Sequence, residues 1–237
     1  MFAEGVFWKS AGGGSSSIRR IAHTGGDVTV VASGSEEYWG LHVDSQWAYT
    51  FVRPTIQPGG LLRAPHNGGG SQLFSSLTES PAYVGPLFGD VTHIYYGTGM
   101  TSPFGPLRKV DKQSGNPSEL LSSALPSAVA VNGTYAYATF MHSVNEVRRI
   151  DLAMGSSKVI ATQQPSPRAV AVDVSATYWA YKKDTAGIVR QVEGGGSIED
   201  LVDELADPRG VALDDEAIHW TDRENGSVSR VALPAVD

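Results

Sequence analysis

Few residues of this chain have the types and the spacing that catalysis needs. It has no cysteine, which excludes thiolate catalysis, disulfides and cysteine-ligated metals. None of its six histidines stands at a metal-ligand spacing from another, and no Gly-x-Ser-x-Gly nucleophile motif occurs. The acidic runs 199–200 and 214–216 could attract a hard cation, but the Asp-x-Asp-x-Asp-Gly loop that makes such oxygens converge is missing. We therefore predict no catalytic residue, no metal and no cofactor.

Basic and apolar side chains point to binding instead. Arginine and lysine can pair with carboxylates, and exposed apolar side chains can anchor a ligand. The candidate binding residues are Arg53, Met100, Phe104, Arg168, Lys182, Lys183 and Arg209. They are far apart in sequence, so they can act together only if the fold brings them to one end. Loops that merely vary in length and composition are the alternative interpretation.

A repeat in the sequence predicts how these residues are positioned. An Asp-like residue is followed five and six positions later by a pair that usually holds aromatic residues, as in Asp173 with Tyr178-Trp179. The anchors lie at positions 2, 44, 90, 132, 173 and 214, so successive steps are 42, 46, 42, 41 and 41 residues. A repeat of this length, built from short strands, is typical of a β-propeller. We therefore predict an all-β propeller with six repeats of 41–46 residues and four-stranded blades.

Each repeat contains four strand-like stretches, which we call A to D. Strand A has small and branched apolar residues, as in 168–173, and this composition predicts burial on both faces. Strand B carries the aromatic pair. Strand C reads apolar, any, basic, apolar, which we interpret as a strand with one wet face. The pattern is assigned to residues 18–21, 61–64, 107–110, 147–150, 189–192 and 228–231.

Strand D follows a glycine turn and completes the unit. Its core apolar residue lies 11 or 12 positions after the basic residue of strand C. The first repeat lacks strand A and the last lacks strand D, so the first and last blades are expected to be incomplete. We predict one domain over residues 1–237, which is either a ring that closes imperfectly or a piece of a longer chain.

Composition narrows the classes of partner. The net charge of −7 disfavours nucleic acid, because phosphate binding needs a basic face. Residues 193–237 hold 12 acidic and 3 basic side chains, so this charge is concentrated near the C-terminus. No apolar run approaches the ~20 residues that span a bilayer. The N-terminus lacks the basic and apolar regions of a signal peptide, so none is predicted in this chain.

The last repeat carries a family resemblance. Ile218-His-Trp-Thr-Asp222, followed by Gly226-Ser-Val-Ser-Arg-Val231, resembles the YWTD repeat of low-density-lipoprotein-receptor class B domains. The glycine turns, and the proline before strand A, also resemble repeats of predicted bacterial secreted lipoproteins. The resemblance implies a six-bladed propeller, a binding role and an extracellular or periplasmic location. It also implies that the motif residues hold blades together and carry no chemistry.

The architecture predicts where binding occurs. Strand direction alternates, so the B–C and D–A loops share one end, and the longest B–C loops are 53–60 and 98–106. We predict a non-enzymatic propeller that binds a protein, peptide or glycan at that end. One alternative is a metal-dependent, lactonase-like hydrolase or a lyase. Another is a structural spacer of a larger surface protein. The sequence predicts no oligomeric state.

Overall fold

The protein consists of antiparallel sheets that follow one another along the chain. The computed structural model describes residues 5–12, 15–53, 59–76, 84–98, 105–122, 126–141, 144–193 and 195–234. These residues form 22 strands in six sheets. The chain divides into two compact units, Met1–Ala124 and Leu125–Asp237, with three sheets in each. The single domain over residues 1–237 stays a prediction.

The first unit holds sheets 1 to 3. Sheet 1 contains β1 (Val6–Gly12), β2 (Ser15–Ile21) and β3 (Thr29–Gly34). Sheet 2 contains β4 (Glu37–Val43), β5 (Trp47–Arg53), β6 (Gly60–Pro65) and β7 (Gln72–Ser76). Sheet 3 contains β8 (Val84–Gly89), β9 (His93–Thr98), β10 (Leu107–Asp111) and β11 (Pro117–Leu121).

The second unit holds sheets 4 to 6. Sheet 4 contains β12 (Ala128–Asn132), β13 (Tyr135–Phe140), β14 (Glu146–Asp151) and β15 (Ser157–Ala161). Sheet 5 contains β16 (Pro167–Val172), β17 (Ala176–Lys182), β18 (Ala186–Val192) and β19 (Ile198–Val202). Sheet 6 contains β20 (Pro208–Leu213), β21 (Ala217–Asp222) and β22 (Ser227–Ala232). The four-strand unit is confirmed in sheets 2 to 5. Within the described ranges, the first sheet has no strand A and the last has no strand D, as expected.

The anchor aspartate of the repeat closes the turn between strands A and B. One oxygen of Asp90 accepts hydrogen bonds from the amides of Thr92 and His93, at 2.6 and 2.7 Å, and the other accepts from the Tyr95 hydroxyl at 2.6 Å. Asp173 does the same with its own turn amides and tyrosine. These contacts explain the five-residue spacing, because an aromatic residue placed there reaches back to the carboxylate that forms the turn.

The basic residue of strand C lies directly opposite the first aromatic position of strand B in every sheet. The pairs are Phe7–Arg20, Tyr49–Arg63, Tyr95–Lys109, Tyr137–Arg149, Tyr178–Arg190 and His219–Arg230. In sheet 5 the pattern therefore runs over residues 188–191, with Arg190 as its basic member. The assignment to 189–192 is wrong by one residue: it took Val192 as the apolar fourth position, whereas the pairing with Tyr178 places Arg190 at the basic position and polar Gln191 at the fourth.

Strand C of sheet 2 contributes buried residues from both faces, which corrects the prediction of one wet face there, whereas in sheet 6 the exposed and half-buried residues of β22 alternate. In sheet 2, Leu61 packs in a cluster with Tyr49 and Val110, whereas Ala64 packs in a different cluster with Ile18. Two apolar residues three positions apart point to opposite faces of a strand, so each face contributes one of them to a core. The alternation in this strand therefore does not separate a solvent-exposed face from a buried face.

Strand B, rather than strand A, supplies the most buried residues. Trp179 and Tyr178 in β17 are fully enclosed, as are Tyr95 and Tyr96 in β9. Strand A was predicted to be buried on both faces. In β16 this is confirmed, since the consecutive residues Ala169, Val170 and Ala171 are buried, whereas β12 is half-buried along its whole length. Its small side chains instead let the A strands of neighbouring sheets lie beside one another within each unit. In the described parts of the chain, no helix is long and apolar enough to cross a membrane.

Candidate functional site

A buried carboxylate surrounded by basic side chains lies at one end of sheets 5 and 6. Asp207 is only 2% exposed. Its Oδ1 lies 2.5 Å from Nη1 of Arg168, and its Oδ2 lies 2.9 Å from Nη2 of Arg209 and 2.7 Å from Nε of Arg223. Lys182 Nζ is 3.9 Å from the same carboxylate. We call Asp207 and these four cationic residues the Asp207 cluster.

The cluster forms because strand ends and loop starts meet at this end of the sheets. Arg168 and Arg209 are the second residues of strand A in sheets 5 and 6, whereas Lys182 ends strand B of sheet 5. The Arg223 amide, just past the end of β21, donates to the Asp207 carbonyl at 3.0 Å. The predicted sharing of one end by the B–C and D–A loops is confirmed within this unit.

Asp222 fixes the backbone that carries Asp207. It is buried, and one oxygen accepts hydrogen bonds from the amides of Ala206 and Asp207 at 3.0 and 3.1 Å. Its other oxygen accepts from the amides of Glu224 and Asn225. These backbone donors, that of Asn225 foremost, hold the pKa of Asp222 below its usual range. The last residue of the Trp-Thr-Asp sequence therefore orders both loops of the cluster.

Asp207 is held in its charged form. Burial raises the pKa of this carboxyl, but hydrogen bonds from Arg209 and Arg168 and the charges of both outweigh burial and keep the pKa below its usual range. A buried carboxylate with several charge-assisted bonds orients its partners firmly. The buried Asp207 carboxylate therefore fixes the positions of the guanidinium groups that bind it.

The cluster retains positive charge and free donor capacity toward solvent. Four cationic side chains surround Asp207, and two further carboxylates lie in the same loops: Asp222, which accepts backbone amides, and Glu224, which is 3.4 Å from Lys182. Arg209 and Arg223 are 40% and 71% exposed. A guanidinium has five N–H donors in a planar fork that suits carboxylates. This arrangement can bind an anionic group, and it lies next to a C-terminal region that is otherwise acidic.

The structure brings together three of the seven predicted binding residues, Arg168, Lys182 and Arg209. Lys183 is exposed in the adjoining turn. Arg53 ends β5 in the other unit, and its side chain lies outside the described residues, as do Met100 and Phe104. Sequence reasoning missed Asp207 and Arg223. The signal for Asp207 was its place before Pro208-Arg209, which parallels Ser166 before Pro167-Arg168.

Acidic residues that could have attracted a metal have other roles. Asp214 accepts hydrogen bonds from the amides of Glu216 and Ala217 and lies 2.7 Å from Nε2 of His219. His219 thus takes the place of the repeat tyrosine. In the described portion of the chain, no three histidine or carboxylate side chains are arranged to hold a metal ion.

A shallow cleft of ≈ 110 Å³ lies between sheets 4 and 5. Arg149, Lys158, Gln191 and Glu193 line it. Glu193 pairs with Arg149 at 2.9 Å and accepts the Tyr137 hydroxyl at 2.8 Å. Since Arg149 and Glu193 already pair across the two sheets, this cleft is explained by packing between sheets.

Comparisons with solved structures identify the fold class of this chain. A scan against family models and a search of curated proteins find no match. Among solved structures, a chain in a crystal structure of a nidogen/laminin complex has a TM-score of 0.68 at 15% identity, covering 92% of this chain and 86% of that one. The computationally designed Ika8 protein has a TM-score of 0.58 at 11% identity, covering 95% and 82%. The designed Ika4 protein has a TM-score of 0.55 at 12% identity, covering 69% and 99%. The chain therefore has an all-β, β-propeller fold, similar to the nidogen YWTD propeller.

Proposed function

We propose that this protein is a non-enzymatic binding propeller whose Asp207 cluster recognises a carboxylate-rich segment of a partner protein. The observation that carries the proposal is the meeting of Arg168, Arg209 and Arg223 on one buried carboxylate, with part of their donor capacity still facing solvent. Arginines arranged in this way meet an incoming carboxylate at little cost in side-chain entropy.

Two further observations support a protein partner. The nidogen propeller to which this fold is similar was crystallised as a nidogen/laminin complex. Arginine is also among the residue types that contribute most to protein interfaces. The extracellular or periplasmic location implied by the sequence resemblance belongs to the same proposal.

The experiment is a titration of the purified chain with a fluorescein-labelled hexaglutamate peptide, at low salt and at 0.5 M NaCl. We expect saturable binding that weakens with salt, because part of the attraction is between exposed charges. Arg209→Ala and Arg223→Ala should each weaken binding at least tenfold, which corresponds to about 1.4 kcal/mol. These two arginines are chosen because Arg168 still pairs with Asp207 in either variant.

Lys158→Ala is the matched control, since it removes one exposed positive charge elsewhere in the same unit. An equal loss in that variant would reduce the effect to net charge and contradict the proposal. Binding of a heparin-derived hexasaccharide without binding of hexaglutamate would replace the acidic protein segment with a sulfated glycan. Hydrolysis of a lactone by the wild-type chain would overturn the non-enzymatic assignment.

A further inference from the structure

Three asparagines of this chain directly precede a glycine, and they are Asn67, Asn132 and Asn225. Asparagine is a chemically labile residue. In deamidation, the nitrogen of the following residue gives up its proton and attacks the side-chain carbon Cγ. The new N–Cγ bond closes a succinimide ring, while the Cγ–Nδ2 bond breaks and ammonia leaves with that proton. Water then opens the ring to aspartate or isoaspartate. Glycine favours the attack because it has no Cβ to hinder the approach.

Two of these asparagines are protected by hydrogen bonds of the fold. Asn67 is exposed, but the attacking nitrogen is engaged, since the Gly68 N–H donates to the Pro65 carbonyl at 3.1 Å. At half-buried Asn132 the side chain is engaged instead, because its Nδ2 donates to the Asp173 carbonyl at 2.8 Å. Each hydrogen bond must be given up before the ring can close, which slows the reaction.

Asn225 has neither kind of protection. Asn225 and Gly226 are both exposed in the turn that joins β21 to β22. Within the described parts of the chain, neither the Asn225 side chain nor the Gly226 N–H makes a hydrogen bond. The backbone N–H of Asn225 donates to Asp222 at 3.0 Å, but this group takes no part in ring closure. Both reacting groups are therefore free and accessible to water.

We propose that Asn225 is a site of spontaneous deamidation, and that the carboxylate it produces weakens the Asp207 cluster. The second half of the proposal rests on the function proposed above, whereas the first half does not. Residue 225 lies in the same turn as Arg223, whose Nε is 2.7 Å from Asp207. A new negative charge in this turn competes with an incoming carboxylate for the exposed guanidinium.

Isoaspartate has a second effect on the same turn. It routes the main chain through the former side chain and so adds one atom to the backbone between residues 225 and 226. Asp222 holds this turn through the amides of Glu224 and Asn225, at 3.1 and 3.0 Å. A longer backbone disturbs these contacts, and with them the position of Arg223.

Incubation of the purified chain at mildly alkaline pH, followed by tryptic digestion and mass spectrometry, measures the three sites separately. The peptide Glu224–Arg230 should gain one mass unit and separate into aspartate and isoaspartate forms. We expect Asn225 to react at least tenfold faster than Asn67 and Asn132. In the chain unfolded by urea the three rates should become similar, because the protecting hydrogen bonds are lost. Asn225→Gln should remove the mass change, since glutamine must close a larger ring.

The hexaglutamate titration measures the consequence for the Asp207 cluster. Asn225→Asp reproduces the aspartate product and should weaken binding at least threefold, whereas Asn225→Gln keeps the side chain neutral and should bind like the wild type. Asn67→Asp is the matched control, because it adds the same charge at an exposed turn of the other unit.

The outcomes separate the two halves of the proposal. Equal rates at the three sites of the folded chain would overturn the modification site. Equal weakening by Asn67→Asp and Asn225→Asp would overturn the effect on the Asp207 cluster. A wild-type chain that binds no hexaglutamate would contradict the proposed function together with that effect, while the deamidation rates still decide whether Asn225 is modified.

Discussion

At the scale of single residues, aspartates organise this protein. Asp90 and Asp173 close turns between strands A and B, Asp222 fixes the loop before sheet 6, and Asp207 gathers the basic side chains. Each carboxylate accepts several hydrogen bonds from donors that the fold places around it. Charged groups held in this way are sensitive to substitution and to pH.

Asp207→Asn should destabilise the protein, because three guanidinium groups would then face one another without their shared counter-charge. We expect a lower unfolding midpoint in thermal denaturation. Added NaCl should recover more of the midpoint in the variant than in the wild type, since salt screens the repulsion among the arginines. Asp203→Asn, at an exposed position of the preceding loop, is the control. A midpoint equal to that of the wild type at low salt would argue against a structural role for Asp207.

The turn aspartates should make stability fall in acid. The turn amide of Glu216 and the side chain of His219 lower the pKa of Asp214 to about 2, and the pKa of Asp173 is also below its usual range because the donors of Ser175 outweigh burial. A carboxyl whose folded pKa is depressed contributes stability above its unfolded pKa of about 4, and this is lost as the pH falls toward the folded value. We expect the unfolding midpoint to decline between about pH 4 and pH 2.

Substitution tests which groups cause this decline. Asp173→Asn should lower the midpoint at pH 7 and make it depend less on pH below 4, because one of the titrating groups is gone. The exposed Asp184→Asn is the control. An acid profile of Asp173→Asn parallel to that of the wild type would show that other groups are responsible.

At the scale of elements, the repeat fixes the register in which strands B, C and D of each sheet pair. The pairing of a basic residue with the first aromatic position recurs in all six sheets, and the C–D register shift recurs in five. A strand shifted by one residue would turn every side chain to the wrong face, so these pairings hold the core positions in place.

Gly40 occupies a position in β4 where both the backbone conformation and the packing require glycine. It lies within a register shift of β4, has a φ of 65°, and a Cβ there would come within 2.8 Å of Leu87 Cβ. We expect Gly40→Ala to destabilise the protein by about 1–3 kcal/mol, through both the left-handed backbone and the clash. Chemical denaturation measures this. Gly12→Ala is the control, since nothing lies within 4 Å of a Cβ at that position. Similar losses in both variants would indicate a general effect of removing glycine.

At the scale of the whole molecule, the described chain is a series of local antiparallel sheets, in which each strand pairs with its neighbours in sequence. Four sheets have four strands and two have three. The two three-stranded sheets end in β1 and β22, whose outer residues, such as Val6 and Val228, are exposed.

Hydrogen exchange should therefore differ across the molecule. We expect amides of β1 and β22 to exchange faster than those of β9, β13 and β17, because the latter are central strands with buried aromatic residues. Exchange of the native protein, followed by proteolysis and mass spectrometry, measures this. Equally strong protection of β22 in the isolated chain would mean that its edge is already covered.

Much of the fold could be predicted from the sequence, because its signals are local. The repeat spacing, the turn aspartates and the glycine turns are set by neighbouring residues. The order of the strands, and the three-stranded first and last sheets of the described chain, could therefore be predicted from the sequence. The register of sheet 5 could not be decided between two candidates: residues 188–191 place polar Gln191 at the apolar fourth position, and residues 189–192 place Gln191 at the basic position. Only cross-strand pairing with Tyr178 decides between them.

The sequence by itself determined an all-β propeller of six repeats, the end at which the B–C and D–A loops meet, and three cationic residues there. Only the tertiary structure decided that Arg168, Arg209 and Arg223 share the buried carboxylate of Asp207. It also decided that Val228 in strand C of sheet 6 is exposed, whereas Ile188, at the same position of strand C in sheet 5, is buried. The physical reason is one of range. Turns and strands depend on residues a few positions apart, whereas charge pairing and burial depend on groups that only the packing of separate sheets brings together.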